Sequence, residues 1–276
     1  MAKTIKQKEG KMKIMLKIPK KIIKKLVNLF GYTILSSSQV KRLKIQTIDE
    51  DTIIGKDITF LRIYDKCKEY TMTSKERMYT LYKSVEYIIN AKIPGDFVEC
   101  GVWRGGSTML IAYTLLELNV KNRKIYMYDT YEGMTKPTAD DFRLEDNNVF
   151  AIKIWEKKEK EHNKFCYASL SEVKNNMALT GYPENNNILV KGKIEETIPK
   201  IIPDKISLLR LDTDWYESTK HELIHLFQLL SKSGVLIIDD YGYWAGAKKA
   251  VDEYFATKKI LLNRIDEDGR IGIKTE

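Results

Sequence analysis

The chain has 276 residues, with 47 Lys/Arg against 38 Asp/Glu and a formal charge of +9. Residues 1–48 carry +12 and residues 49–276 carry −3, which excludes a uniformly basic nucleic-acid coat and points to a near-neutral body behind a basic arm. A hydrophobic fraction of 43% excludes global disorder, and three cysteines (Cys67, Cys100, Cys166) are too few for a disulfide framework.

The arm, residues 1–48, contains one patterned segment. From Pro19 to Phe30, the apolar residues Ile22, Ile23, Leu26, Val27, Leu29 and Phe30 share one helical face, and Lys20, Lys21, Lys24 and Lys25 share the other. Such a basic amphipathic helix suits peripheral contact with an anionic membrane surface, or packing on its own domain or on a second subunit. Lysines break every apolar stretch, so neither a signal peptide nor a spanning helix is expected. The expected location is cytoplasmic, free or at the inner membrane surface, and a homo-oligomer is expected.

The body, residues 49–276, reads as one domain. Thr73 and Glu76 have capping-box spacing ahead of a helix carrying Met78, Leu81, Tyr82, Val85 and Ile88. Apolar runs then alternate with helical segments. The runs are Phe97–Cys100, Ile125–Asp129, Ile188–Val190, Ile206–Asp212 and Val235–Asp239. The helices are expected near 107–118, 147–162, 169–179, 219–230 and 246–257. This alternation predicts an α/β fold with a mostly parallel sheet covered on both faces. Ile260–Ile265 and Arg270–Lys274, joined through Gly269, predict a C-terminal antiparallel hairpin.

The first strand ends in Glu99-Cys100-Gly101-Val102-Trp103-Arg104-Gly105-Gly106-Ser107. The glycines allow a sharp turn and close ligand approach, and Ser107 or Thr108 could cap the following helix. Ligands of open α/β sheets bind beyond the carboxyl ends of strands, so this loop is the expected cofactor site. Neither the dinucleotide spacing nor the Walker pattern is present. Asp129 ends the second strand, where a carboxylate can accept both hydroxyls of a ribose.

Two later strands end in acid: Ile206–Leu211 runs into Asp212-Thr213-Asp214, and Val235–Ile238 into Asp239-Asp240. Hard oxygen donors at the ends of neighbouring strands suit Mg²⁺ or a similar divalent cation, although each Asp could instead cap a helix. His221-Glu222-Leu223-Ile224-His225 fits the zinc-protease string literally. It lacks an evident third ligand, so a surface or packing histidine pair is expected there. Cys100 is expected to pack rather than react.

Taken together, Gly95–Gly106, Tyr128-Asp129-Thr130-Tyr131-Glu132-Gly133-Met134, Leu211–Thr219 and Ile238–Gly242 resemble the signature of the macrocin O-methyltransferase (TylF) family, over about residues 73–258. The resemblance implies a class I methyltransferase fold, a Rossmann-like three-layer α/β arrangement. It also implies S-adenosylmethionine as methyl donor, Mg²⁺, and a sugar hydroxyl as acceptor. By position, Glu99, Gly101, Arg104, Gly105, Gly106 and Ser107 would hold the methionine part and Asp129 the ribose. Asp212, Asp239 and Asp240 would hold the metal, with Asp212 also a general base. The family often has Thr at the place of Cys100, and Gly and Leu at those of Thr213 and Trp215. The acceptor would be a small molecule or glycan, not nucleic acid. A catechol-like diol and a non-catalytic cofactor scaffold are the alternatives. Acceptor choice is expected to lie in the loop Thr135–Asp146.

Overall fold

Alternation of buried apolar side chains with capped amphipathic segments builds the structure, a computed structural model that describes residues 52–145, 149–160, 165–258 and 260–276. The basic arm and its helix lie outside the described residues. A single helical turn, Ile53–Lys56, belongs to the unit preceding residue 57, and Asp57–Glu276 forms a compact unit of its own.

The body opens with helix α1 (Ile58–Cys67), capped by the Asp57 side chain on the amide of Phe60, and α2 (Lys75–Asn90). Strand β1 (Asp96–Cys100), α3 (Gly106–Glu117) and β2 (Ile125–Asp129) follow. Next come α4 (Ala151–Lys160), α5 (Leu170–Ala178), β3 (Asn187–Lys191) and the short α6 (Ile194–Thr197). The chain closes with β4 (Ile206–Leu211), α7 (Tyr216–Leu226), β5 (Leu230–Ile238), α8 (Ala245–Phe255), β6 (Asn263–Arg264) and β7 (Arg270–Ile273).

The seven strands lie in the order β3-β2-β1-β4-β5-β7-β6. The first five are parallel and the hairpin β6–β7 joins β5 antiparallel, as the alternation predicts. The strand order reverses between β1 and β4, so the crevice beyond their carboxyl ends is the natural ligand site. Side chains alternate across the sheet. Val98, Tyr128, Leu209, Leu211, Leu236 and Ile238 bury against Leu223 and Leu226 of α7 and Val251 of α8. On the other face lie Phe97, Glu99, Leu208 and Arg210, towards the packed group α1, α2 and α3.

Two local expectations are corrected. The cap of α2 is Ser74, which accepts from the amide of Arg77 at 3.1 Å; the Thr73 hydroxyl turns away to Asp239. The helix after the glycine loop starts at Gly106 behind Gly105, which is left-handed at φ +90°. Neither Ser107 nor Thr108 caps it, and the Thr108 hydroxyl donates back to the Gly105 carbonyl at 2.9 Å. Residues 135–145, in the loop expected to choose the acceptor, are braced by the body, and Thr135 and Arg143 face the crevice. Buried Asp141 accepts from the amide and hydroxyl of Thr138 and from the amide of Tyr216 at the start of α7. Phe142, Arg143 and Leu144 are tied by backbone bonds to Ala245, Val149 and Tyr243.

Candidate active site

A cavity of about 400 Å³ opens at the carboxyl ends of β1, β2, β4 and β5. Gly101, Val102, Trp103 and Ser107 form one wall, Asp129 and Thr130 a second, and Asp212, Asp214, Asp239 and Asp240 a third. Met134, Phe165, Tyr243 and Trp244 supply an apolar side. Four non-glycine residues in or beside this space have left-handed backbone: Trp103 (φ +47°), Tyr131 (φ +52°), Cys166 (φ +52°) and Asp214 (φ +67°). Such strain persists where packing over-determines it, and it concentrates at working sites.

The glycines serve the chain's own close approaches. A Cβ on Gly101 would stand 1.9 Å from the carbonyl oxygen of Asp212, and the residue sits at φ +82°. A Cβ on Gly106 would stand 2.6 Å from the backbone of Tyr70. The first glycine lets the β1 and β4 loops touch, and the second lets the α1–α2 connection lie on the start of α3.

Asp129 joins two loops. Its Oδ2 accepts from the amides of Val102 at 2.8 Å and Trp103 at 3.0 Å, and its Oδ1 from the amide of Tyr131 at 2.7 Å. The residue still lines the cavity, and a carboxylate has lone pairs left for hydroxyl donors.

The acidic wall is organised by two arginines. Arg210, buried in β4, lies opposite Glu99 of β1 in the strand register. Its Nη1 donates to Glu99 and, at 2.6 Å, to Asp212; its Nη2 donates to Asp239 at 2.5 Å. One guanidinium thus spans three neighbouring strands. Arg77 of α2 donates from Nη1 to Asp239 and from Nε to Asp266 at 2.9 Å. Neither arginine was legible as a site residue in the sequence. The available signal was period two: a charge inside a buried strand, two residues before Asp212, must share its face.

This arrangement adds Asp214 to the acids expected at a metal. Asp239 pairs with Arg77 and Arg210 and accepts from the Thr73 hydroxyl, and Asp212 pairs with Arg210 as well. The carboxylate oxygens that converge, within 4.8 Å of one another, are those of Asp212, Asp214 and Asp240. Enclosure, and then repulsion from neighbouring carboxylates, raises the proton affinity of all three; Asp214 is pushed up to about 7. Asp240 Oδ2 is buried with no hydrogen-bond partner. Three hard anionic donors, crowded and partly unsatisfied, fit a divalent cation.

Glu99 is likewise repositioned. It lies beneath the cavity, 1% exposed, and pairs with Arg210; burial pushes its carboxyl up to about 7. Its Oε2 has no hydrogen-bond partner. Arg104 also points away from the cavity, to Glu172 at 2.6 Å and the Glu69 carbonyl at 2.9 Å. Gly105 and Gly106 shape the turn without lining the cavity. Gly101, Ser107, Asp129, Asp212, Asp239 and Asp240 do line it. The histidine pair stands elsewhere: His221 Nε2 meets the Ile198 carbonyl at 3.0 Å, and Glu222 is buried and accepts from the Thr213 hydroxyl at 2.9 Å.

A glycine-turn loop, a carboxylate closing β2 and an acidic β4–β5 wall are now in place at one switch point. The sequence model of the family described as macrocin-O-methyltransferase (TylF) matches residues 65–271. The chain belongs to this family. It is accordingly an S-adenosylmethionine-dependent O-methyltransferase. The demethyldecarbamoylnovobiocin O-methyltransferase of Streptomyces niveus is 31% identical over 202 residues, covering 72% of this chain and 74% of that protein. The mycinamicin III 3''-O-methyltransferase of Micromonospora griseorubida is 30% identical, covering 67% of this chain and 70% of that one. The solved structure of the O-methyltransferase NovP, 30% identical, superposes with a TM-score of 0.66 over 75% of this chain and 83% of NovP. Among the described residues, no helix is long and apolar enough to cross a membrane.

Proposed function

We propose that this methyltransferase acts on a hydroxyl of a sugar carried by a glycosylated small molecule, with a divalent cation, Mg²⁺ or a similar ion, held by Asp212, Asp214 and Asp240. The observation that carries this reading is the convergence of those carboxylates in the same cavity as the glycine loop and Asp129. The names of two relatives support the acceptor class. One is a mycinamicin III 3''-O-methyltransferase, and another, 32% identical, methylates the 4' position of a rhamnosyl tetracenomycin.

S-adenosylmethionine supplies an activated methyl group when bound, and a divalent cation would supply charge stabilisation to an alkoxide. The chain's own residues do the rest. Asp129 and Gly101–Trp103 hold the donor in a braced cradle, with Ser107 beside it. A sugar hydroxyl is a very weak acid, so its proton needs a base within hydrogen-bond reach. Asp212 takes that role. Its side chain keeps 28% exposure towards the cavity. Arg210 and Arg77 hold Asp212 and Asp239 in place. Met134, Phe165, Tyr243 and Trp244 offer an apolar face to a sugar ring and exclude water from the transfer.

The same reading keeps the basic arm, residues 1–48, separate from catalysis, so its removal leaves cofactor binding intact. The test is methyl transfer in vitro to a panel of glycosides and catechols, read by mass spectrometry, with and without chelator. Methylated glycosides and loss of activity on chelation support the proposal. Activity on catechols alone refutes the acceptor class, and full activity in chelator refutes the cation. A protein that binds S-adenosylmethionine but methylates nothing would be a scaffold.

A further inference from the structure

Arg143 is a cation that no carboxylate of the described residues holds in an ion pair. It lines the cavity, yet forms no ion pair among the described residues. Its Nε is buried without a hydrogen-bond partner. The guanidinium lies over the rings of Tyr243 at 5.2 Å and Trp244 at 5.9 Å, which hold it flat and remove water from one side. Its backbone is fixed as well: the amide donates to the Val149 carbonyl at 3.0 Å, and the residue bridges Trp244 in antiparallel fashion. The other arginine in the cavity wall, Arg77, is consumed by Asp239 and Asp266.

A partly desolvated guanidinium with free donors is costly unless an acceptor arrives from outside. Its planar fork matches phosphate and carboxylate oxygens, two at a time. The acidic wall that would repel an anion is made by Asp212, Asp214 and Asp240, none of which pairs with Arg143. The cavity therefore has a carboxylate end for the hydroxyl and a cationic shelf for an oxyanion.

We infer that the acceptor carries an anionic group, a phosphate or a carboxylate, which Arg143 binds while the sugar hydroxyl lies at Asp212. This rests on the sugar-hydroxyl reading above and narrows it to acidic glycosides. The chemistry has two sources, a nucleoside-diphosphate sugar or a uronic acid glycoside, and the test separates them. Full-length protein saturated with S-adenosylhomocysteine is titrated by calorimetry with UDP-glucose, methyl glucuronide and neutral methyl glucoside. The wild type is expected to bind one anionic probe at least tenfold more tightly than the neutral glucoside; whichever binds more tightly identifies the source. Arg143→Gln is expected to erase that preference and Arg143→Lys to restore part of it, with S-adenosylhomocysteine affinity unchanged in both. Equal binding of charged and neutral probes by the wild type would overturn the inference alone. So would a preference that survives Arg143→Gln, or loss of S-adenosylhomocysteine affinity in that variant. Binding of none of the three sugars would overturn the sugar reading and this inference with it.

Discussion

Arg210→Met removes the guanidinium that spans β1, β4 and β5 while keeping most of its apolar volume. Three carboxylates lose a partner. Asp239 keeps Arg77, and Asp212 retains 28% exposure, so the loss falls mainly on Glu99, which is 1% exposed. Removing one member of a buried ion pair costs about 3–5 kcal/mol. With two of the three acids partly compensated, we expect the lower end, about 3 kcal/mol. In a body of this size each kcal/mol moves the melting temperature by about 2–4 °C, so the fall should be roughly 6–12 °C. The sign of the pH dependence follows from Glu99. Its folded pKa is raised, to about 7, above an unfolded value near 4.3. A carboxyl shifted in that direction contributes less stability as pH rises between those two values. Loss of Arg210 moves the upper limit higher, so the deficit should be larger at pH 8 than at pH 6. Adding Glu99→Gln removes the stranded charge, and the double variant should recover most of the loss. Thermal and urea unfolding of the four proteins at both pH values measure this. A single variant within about 1 kcal/mol of wild type, with no recovery in the double variant, would refute the argument that Arg210 is the internal counter-ion.

Other outcomes follow from the same geometry. Asp240→Asn should reduce methyl transfer by about 10²-fold or more while S-adenosylmethionine affinity, read by calorimetry, stays within a few-fold. Gly101→Ala places a Cβ 1.9 Å from the Asp212 carbonyl at a positive φ; we expect loss of more than about 3 kcal/mol in urea unfolding, or no folded protein. The raised proton affinity of Asp212, Asp214 and Asp240 means that a cation must displace protons. Mn²⁺ affinity, followed by electron paramagnetic resonance, should therefore rise about tenfold or more from pH 6 to pH 8. Affinity independent of pH would place the cation elsewhere.

Much of this architecture can be read from residue order. Ile125–Asp129 and Ile206–Leu211 are strands because short apolar runs bounded by charge can only be buried between helices, and the acids ending them mark the crevice. The partners of those acids were not readable. Glu99 meets Arg210 through strand register, and Asp239 meets Arg77 across 162 positions, so no local spacing announces either pair. Asp239 reads as a metal ligand by motif, and the fold also pairs it with two arginines. Residues 135–145 read as a polar loop, yet Asp141 is buried because the start of α7 needs an acceptor and Gly246 leaves room for it. Local competition explains the cap of α2. Thr73 and Ser74 both suit the position, and only the tertiary bond from Thr73 to Asp239 decides between them.

The Asp129 carboxylate has a consequence for the proposed donor site. By accepting from Val102, Trp103 and Tyr131 it fastens the β1 and β2 loops into one body. With the donor placed as proposed, the two ends of S-adenosylmethionine would meet surfaces already at fixed separation. Adenosine and methionine offered as separate molecules each forfeit that advantage. The intact cofactor would engage its second half at a high effective concentration, so its affinity should exceed the product of the fragment affinities. Loosening this one side chain would turn a chelating cradle into two independent weak sites.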